Sequence, residues 1–169
     1  MKRLKEFDTF ILKLFSERWK NLHSFEGFGD SELKWPGVYL IAYSKNNLDG
    51  RLVESDHVFY VGMSNSSAGV GSRIKQFKAG IEKYGIHSAA MRFYRIHCKN
   101  MPFSKAKTGM KLFFVSIPIK CESNKHKANP DDFRKMGHVA CLEQYAIAYV
   151  QEQTGKCPAL NIPERRNTA

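Results

Sequence analysis

The chain has 169 residues and a mass of 19.4 kDa, with 43% apolar and 12% aromatic residues, enough to fill one core and too many for a disordered or collagen-like polymer. Its 27 Lys and Arg against 16 Asp and Glu give a net charge of +11. No apolar run approaches the ~18–20 residues of a membrane span, and MKRLKEFDTF interleaves charge where a signal peptide is continuously apolar, so a single cytoplasmic domain with no membrane partner is expected.

At the amino terminus Leu4, Phe7, Phe10, Ile11, Leu14, Phe15 and Trp19 recur at helical spacing, which predicts an amphipathic helix covering a core. SFEGFGDSELKWPG is rich in Gly, Ser and acid and ends at Pro36, the pattern of a loop. GVYLIAYS (37–44) and HVFYVGMS (57–64) are rich in β-branched and aromatic residues and predict two strands. The connection KNNLDGRLVESD carries Asn46, Asn47, Asp49 and Gly50, which favours an antiparallel hairpin with a long tip. Arg51 and His57 on that tip could contact a nucleic acid or stand in plain solvated loop, and the loop is the favoured expectation.

NSSAGVG then forms a small-residue loop, and SRIKQFKAGIEKYG places Ile74, Phe77, Ile81 and Tyr84 at helical spacing, with Ser72 as the expected cap. MRFYRIH and KLFFVSIPIK look like two further extended segments. CESNKHKANPDD is polar loop, and Phe133 to Thr154 contains a helix with Val139, Leu142, Tyr145, Ala146, Tyr149 and Val150 as its stripe, stopped by Gly155. No internal repeat is present.

The four cysteines, Cys98, Cys121, Cys141 and Cys157, form no CxxC pair. Free thiols are expected rather than a zinc module. His87, His97, His126 and His138 have no metal-ligand spacing either.

Ser72 to Lys135 holds 15 basic and 4 acidic residues, while the rest of the chain balances. A single-sign field of this kind attracts a polyanion through counterion release, so nucleic acid is the expected partner. A solvated basic face is the simpler alternative.

Glu143 lies beside the stripe of the last helix, at the border of core and solvent, where a charge usually has a partner or a metal. Tyr39 and Tyr60 sit one per strand and can project onto the same face. Arg73 begins the following helix, where a guanidinium opposes the helix dipole.

GVY at Gly37 to Tyr39, YVG at Tyr60 to Gly62, Arg73 soon after, Glu143 on a late helix and Asn161 in CPALN stand in an order that resembles the GIY-YIG nuclease superfamily. The likeness spans Gly37 to Ile162. It implies an α/β (α+β) fold, a small three-stranded antiparallel sheet flanked by helices. Residues 1–35 would be an amino-terminal helical extension, residues 37–162 the nuclease core with a basic insertion, and residues 1–169 one domain.

The resemblance further implies metal-dependent hydrolysis of phosphodiester bonds in DNA. Glu143 would hold Mg²⁺ or Mn²⁺ and Arg73 would grip the phosphate. Tyr39 would be the base and Tyr60 the positioner of the water, and Asn161 would hold the architecture. Gly37 and Gly62 would permit close backbone approach. Lys75, Lys99, Lys105, Lys107, Lys111, Lys125 and Lys127 would contact phosphates. Where many members carry His, four residues after the helix arginine, this chain has Phe77.

A stand-alone chain is most similar to the compact site-specific restriction enzymes of that superfamily, for which a homodimer is expected. A free-standing repair or mobile-element nuclease is one alternative, and a non-catalytic nucleic-acid-binding module is another.

Overall fold

The computed structural model describes residues 5–26, 31–83 and 85–162. Leu4 and Tyr84, both expected on helix stripes, lie outside them.

Helix α1 (Lys5–Ser16) is followed by a short strand β1 (Lys20–Asn21) and a 3₁₀ turn (Ser31–Lys34). Strands β2 (Gly37–Ser44) and β3 (Val58–Ser64) lead into helices α2 (Gly69–Glu82) and α3 (Ser88–Ile96). Strand β4 (Lys111–Pro118), the long helix α4 (Pro130–Thr154) and a 3₁₀ turn (Ala159–Asn161) complete the chain. The strands form one antiparallel sheet in the order β1-β4-β2-β3. The sheet therefore has four strands rather than the expected three, the additional one being the two-residue β1 against Phe113 and Phe114.

Alternation along the strands builds a three-layer molecule. Val38, Leu40, Ala42, Val61, Phe113, Val115 and Ile117 face α1 and α4, and meet Phe7, Ile11, Leu14, Val139, Leu142, Ala146 and Val150. Tyr39, Ile41 and Phe114 face α2 and α3, and meet Val70, Ile74, Phe77, Ile81, Ala89, Ala90 and Phe93. Burial of both faces explains why GVYLIAYS is apolar almost throughout instead of alternating with polar residues.

Helix α4 starts in a capping box. The Asn129 side chain accepts from the amides of Asp131 and Asp132, and the Asp132 carboxylate accepts from the amide of Asn129. Gly155, at φ 73°, ends it where the sequence predicts.

Three expectations are corrected. MRFYRIH is helical and belongs to α3, because Ala89, Ala90 and Phe93 form a buried stripe against α2 and the His87 side chain caps the helix by accepting from the Ala90 amide. Ser72 is not a cap, since α2 begins three residues earlier at Gly69. The β2–β3 tip is solvated loop only in part: Arg51 is exposed, but Leu48 and Val53 are buried in the core, and the Arg51 carbonyl accepts from the Trp19 amide. Trp19 itself lies beyond the end of α1, buried in the turn that leads to β1.

Candidate active site

Tyr39 and Tyr60 project from neighbouring strands onto the face covered by α2 and α3. The register pairs Tyr39 with Gly62 and Ile41 with Tyr60, so the two tyrosines are diagonal neighbours with ring centroids 5.9 Å apart. A bulge between Ile41 and Ala42 inserts Phe59 as an extra residue, which turns both Phe59 and Tyr60 toward the same core. Gly62 makes the room: a methyl group there would sit 2.6 Å from Tyr39 Cζ and 2.8 Å from Tyr60 Cε1. Gly37 is equally constrained, with Pro118 Cα 2.9 Å from where its Cβ would lie.

The two phenols differ in environment. Tyr39 is 0% exposed, whereas Tyr60 is only partly buried. Burial pushes the Tyr39 hydroxyl well above its ordinary pKa, and Tyr60 and Glu143 add to the rise while Arg73 opposes it. Burial also raises Tyr60, but a hydrogen bond from Tyr39 and the charges of Arg73 and Arg92 pull it back. Tyr39 thus supports Tyr60 from below and is shielded from any water in the site.

Arg73 lies one turn inside α2 rather than at its first residue. Its Nη1 donates to Gln76 Oε1 at 2.8 Å, and both residues line an open cavity of about 310 Å³ with Met63, Ser64, Asn65 and Ser66. Glu143 stands half-buried on α4, on the other side of the edge strand β3. Burial raises its carboxyl pKa, opposed by a hydrogen bond with Gln144 and by the Arg73 guanidinium. Four elements, β2, β3, α2 and α4, therefore bring Tyr39, Tyr60, Arg73 and Glu143 within electrostatic reach of one another.

Among the described residues no three His, Cys, Asp or Glu side chains form a metal-holding group. A hard cation held through one carboxylate, waters and a substrate phosphate needs no such group. Glu143, a half-buried oxygen donor that feels the charge of a guanidinium suited to phosphate, fits that kind of binding.

Asn161 does not enter this group directly. Its carboxamide accepts from the Val61 amide and donates to the Val61 carbonyl, both at 2.8 Å, and so pairs the outer edge of β3 between Tyr60 and Gly62. Arg92 holds the same segment, donating to the carbonyls of Leu160 and Ile162. A residue that the sequence places in the basic stretch is thereby engaged with backbone.

The remaining basic residues divide. The sheet register puts Gly37 beside Ser64 and Pro118 at one end, and Ser44 beside Lys111 at the other. Lys125 and Lys127, exposed in the β4–α4 loop, belong to the end that carries Arg73 and its cavity. Lys99, Lys105 and Lys107 belong to the α3–β4 connection and Lys111 opens β4 at the opposite end, and Lys75 lies on α2. The seven lysines do not form one stripe around the site.

Sequence reasoning missed His87. It is 0% exposed, and its Nε2 lies 2.9 Å from the Tyr39 hydroxyl. Its ring packs edge-on against Phe77 with centroids 5.3 Å apart, and lies 6.0 Å from Tyr60. Phe77 thus fills the α2 position where the resemblance leads one to expect His, and an imidazole reaches the tyrosines from the α2–α3 connection instead. No sequence signal joins residues 48 positions apart. Gln76 was missed for a similar reason, since its role depends on the Arg73 rotamer.

Among the described residues no helix is long and apolar enough to cross a membrane. No family model, curated protein or solved structure matches the chain.

Proposed function

We propose that this protein is a divalent-metal-dependent endonuclease that hydrolyses phosphodiester bonds in DNA. The supporting observation is the convergence of two phenols, a guanidinium and a half-buried carboxylate from four separate elements at one edge of the sheet. That grouping brings charged and polar side chains to the margin of an apolar core, a cost to stability that a binding or catalytic role explains.

In this reading Glu143 would hold Mg²⁺ or Mn²⁺, which when bound would supply positive charge against the scissile phosphate. Arg73 grips the phosphate oxygens with its planar fork, and Gln76 fixes the direction of that fork. Tyr60, the less buried of the two phenols, orients the attacking water and takes its proton when ionised. The water oxygen bonds to phosphorus as the ester P–O bond breaks, and the departing oxygen takes a proton from solvent water. Tyr39 holds Tyr60, which reverses the roles that the resemblance suggests, because Tyr39 has no access to water. Asn161 and Gly62 keep β3 and the tyrosine pair in register.

The basic excess supports a nucleic-acid substrate, with Lys125 and Lys127 placed to take phosphates near Arg73 and the lysines at the far end available to a longer duplex. A restriction enzyme cutting both strands of a symmetric site needs two such centres, hence a homodimer.

The test is incubation of the purified protein with supercoiled plasmid and genomic DNA, with Mg²⁺ or with EDTA, beside Glu143→Ala. Metal-dependent cutting that disappears in the variant is expected. Discrete fragments identify a site-specific restriction-type enzyme, and structure-dependent nicking a repair or mobile-element role. Salt-sensitive binding without cutting under any metal overturns the nuclease reading in favour of a binding module.

A further inference from the structure

The most unusual group in the core is His87. It is completely buried, it stands in a connection rather than in a helix or strand, and each of its ring nitrogens has a partner. Nδ1 lies 3.3 Å from the Ala90 amide nitrogen, where it caps α3. A backbone amide can only donate, so Nδ1 is the unprotonated nitrogen of the ring. In the neutral imidazole the proton must then be on Nε2, the atom that lies 2.9 Å from the Tyr39 hydroxyl. The helix cap fixes the tautomer, and the tautomer fixes the direction of the bond to Tyr39.

We propose that His87 is a permanently neutral hydrogen-bond donor to Tyr39, a positioning residue that fixes the orientation of the Tyr39 hydroxyl and is never itself a base. The inference rests on the nuclease reading for its catalytic consequence, but the bond itself is independent of that reading. With one lone pair of the Tyr39 oxygen occupied by the His87 N–H, the Tyr39 O–H must point away from the imidazole. The bond therefore runs one way, from His87 to Tyr39, whose ring packs edge-on 5.9 Å from that of Tyr60.

The surroundings enforce neutrality. Burial and the nearby Arg73 charge drive the imidazole pKa down to about 3. Phe77 and Tyr60 flank the ring with aromatic faces and edges that offer no counter-charge. Of the charged groups around the chain, Arg73 acts on all three members, Glu143 on both tyrosines and Arg92 on Tyr60. None supplies a carboxylate to His87.

Two substitutions separate capping from donating. Asn in place of His87 puts an oxygen near the Nδ1 position and preserves the cap, but is too short to reach Tyr39. Gln in place of His87 puts an amide nitrogen near the Nε2 position and preserves the donor, but caps poorly. The expected result is that His87→Asn keeps the melting temperature closer to wild type and lowers kcat about tenfold, as loss of one oriented hydrogen bond does, with KM for DNA unchanged. His87→Gln retains more of kcat and loses more stability. The reverse order of kcat, with Asn at wild-type rate and Gln impaired, shows a capping role alone and overturns the proposal.

A measurement that needs no activity is ¹⁵N NMR of the imidazole. A protonated Nε2 and an unprotonated Nδ1, unchanged between pH 8 and about pH 4, are expected. A protonated Nδ1, or titration near the ordinary histidine value, overturns the proposal whether or not the protein cuts DNA. If the NMR signature holds and no cutting is found, the nuclease reading fails while the donor role stands.

Discussion

Asn161 pairs with Val61, 100 residues away, as one strand residue pairs with another: its carboxamide accepts from the amide and donates to the carbonyl, each at 2.8 Å. Val61 lies on the edge strand, so the side chain closes a gap where β3 would otherwise present bare backbone to water or to another chain. The closure falls between Tyr60 and Gly62, the two positions on which the tyrosine geometry depends.

Asn161→Ala removes both bonds and is expected to destabilise the protein by about 1–3 kcal/mol, measured by urea unfolding. Asn161→Asp keeps the acceptor and loses the donor, and falls between the two. Equal stability of wild type and Asn161→Ala contradicts the assigned role.

Gly62→Ala tests the tightest contact in the site, since the added methyl overlaps Tyr39 at 2.6 Å and Tyr60 at 2.8 Å. Both rings must move. The expected cost is about 1–3 kcal/mol, with a changed near-ultraviolet circular dichroism of the tyrosines and loss of cleavage. Wild-type values for all three measurements contradict the packing described.

The buried neutral His87 makes stability depend on pH with a definite sign. Its folded pKa of about 3 lies below the ordinary histidine value of 6.5, so the unfolded chain takes up its proton first as pH falls. The His87 contribution is complete above pH ~6.5 and is lost progressively down to about pH 3, by about 1.4 kcal/mol for each pH unit. Urea unfolding across this window is expected to show a steep loss in wild type and a shallower one in His87→Asn. Identical slopes contradict it.

Asp132 acts in the opposite range. Bonds from the amides of Asn129 and Glu122 hold its carboxyl below the usual carboxylate value, so its stabilisation is present above about pH 4 and disappears as pH falls through the lowered pKa. Asp132→Asn is expected to melt lower at pH 7 and to lose part of the acid dependence below pH 4. An unchanged melting curve at both pH values contradicts the capping box as the anchor of α4.

What could be read from the sequence follows physical range. Strands β2 and β3 were legible because their β-branched and aromatic runs and the turn residues Asn46, Asn47, Asp49 and Gly50 are local signals. Helix α4 was legible from its apolar stripe and Gly155. Helix α3 was not, because it spans only nine residues, its β-favouring Phe93, Tyr94 and Ile96 mimic a strand, and its cap is a histidine. The tyrosine pair, Arg73, Glu143 and Asn161 could be singled out by type and order. Their support, by His87, Gln76 and Arg92, depends on contacts that only the folded chain creates.

The most direct measurement of the central claim is to determine, in one buffer, the cleavage rate and the affinity of wild type and Glu143→Gln on the same fluorescent DNA duplex with Mg²⁺. The account predicts that the substitution lowers the rate by about 10²–10³-fold or more and leaves binding within about twofold, since Glu143 serves the reacting phosphate and the lysines serve the rest. Undiminished cutting by Glu143→Gln, or a wild-type protein that binds the duplex and never cuts it, contradicts the account.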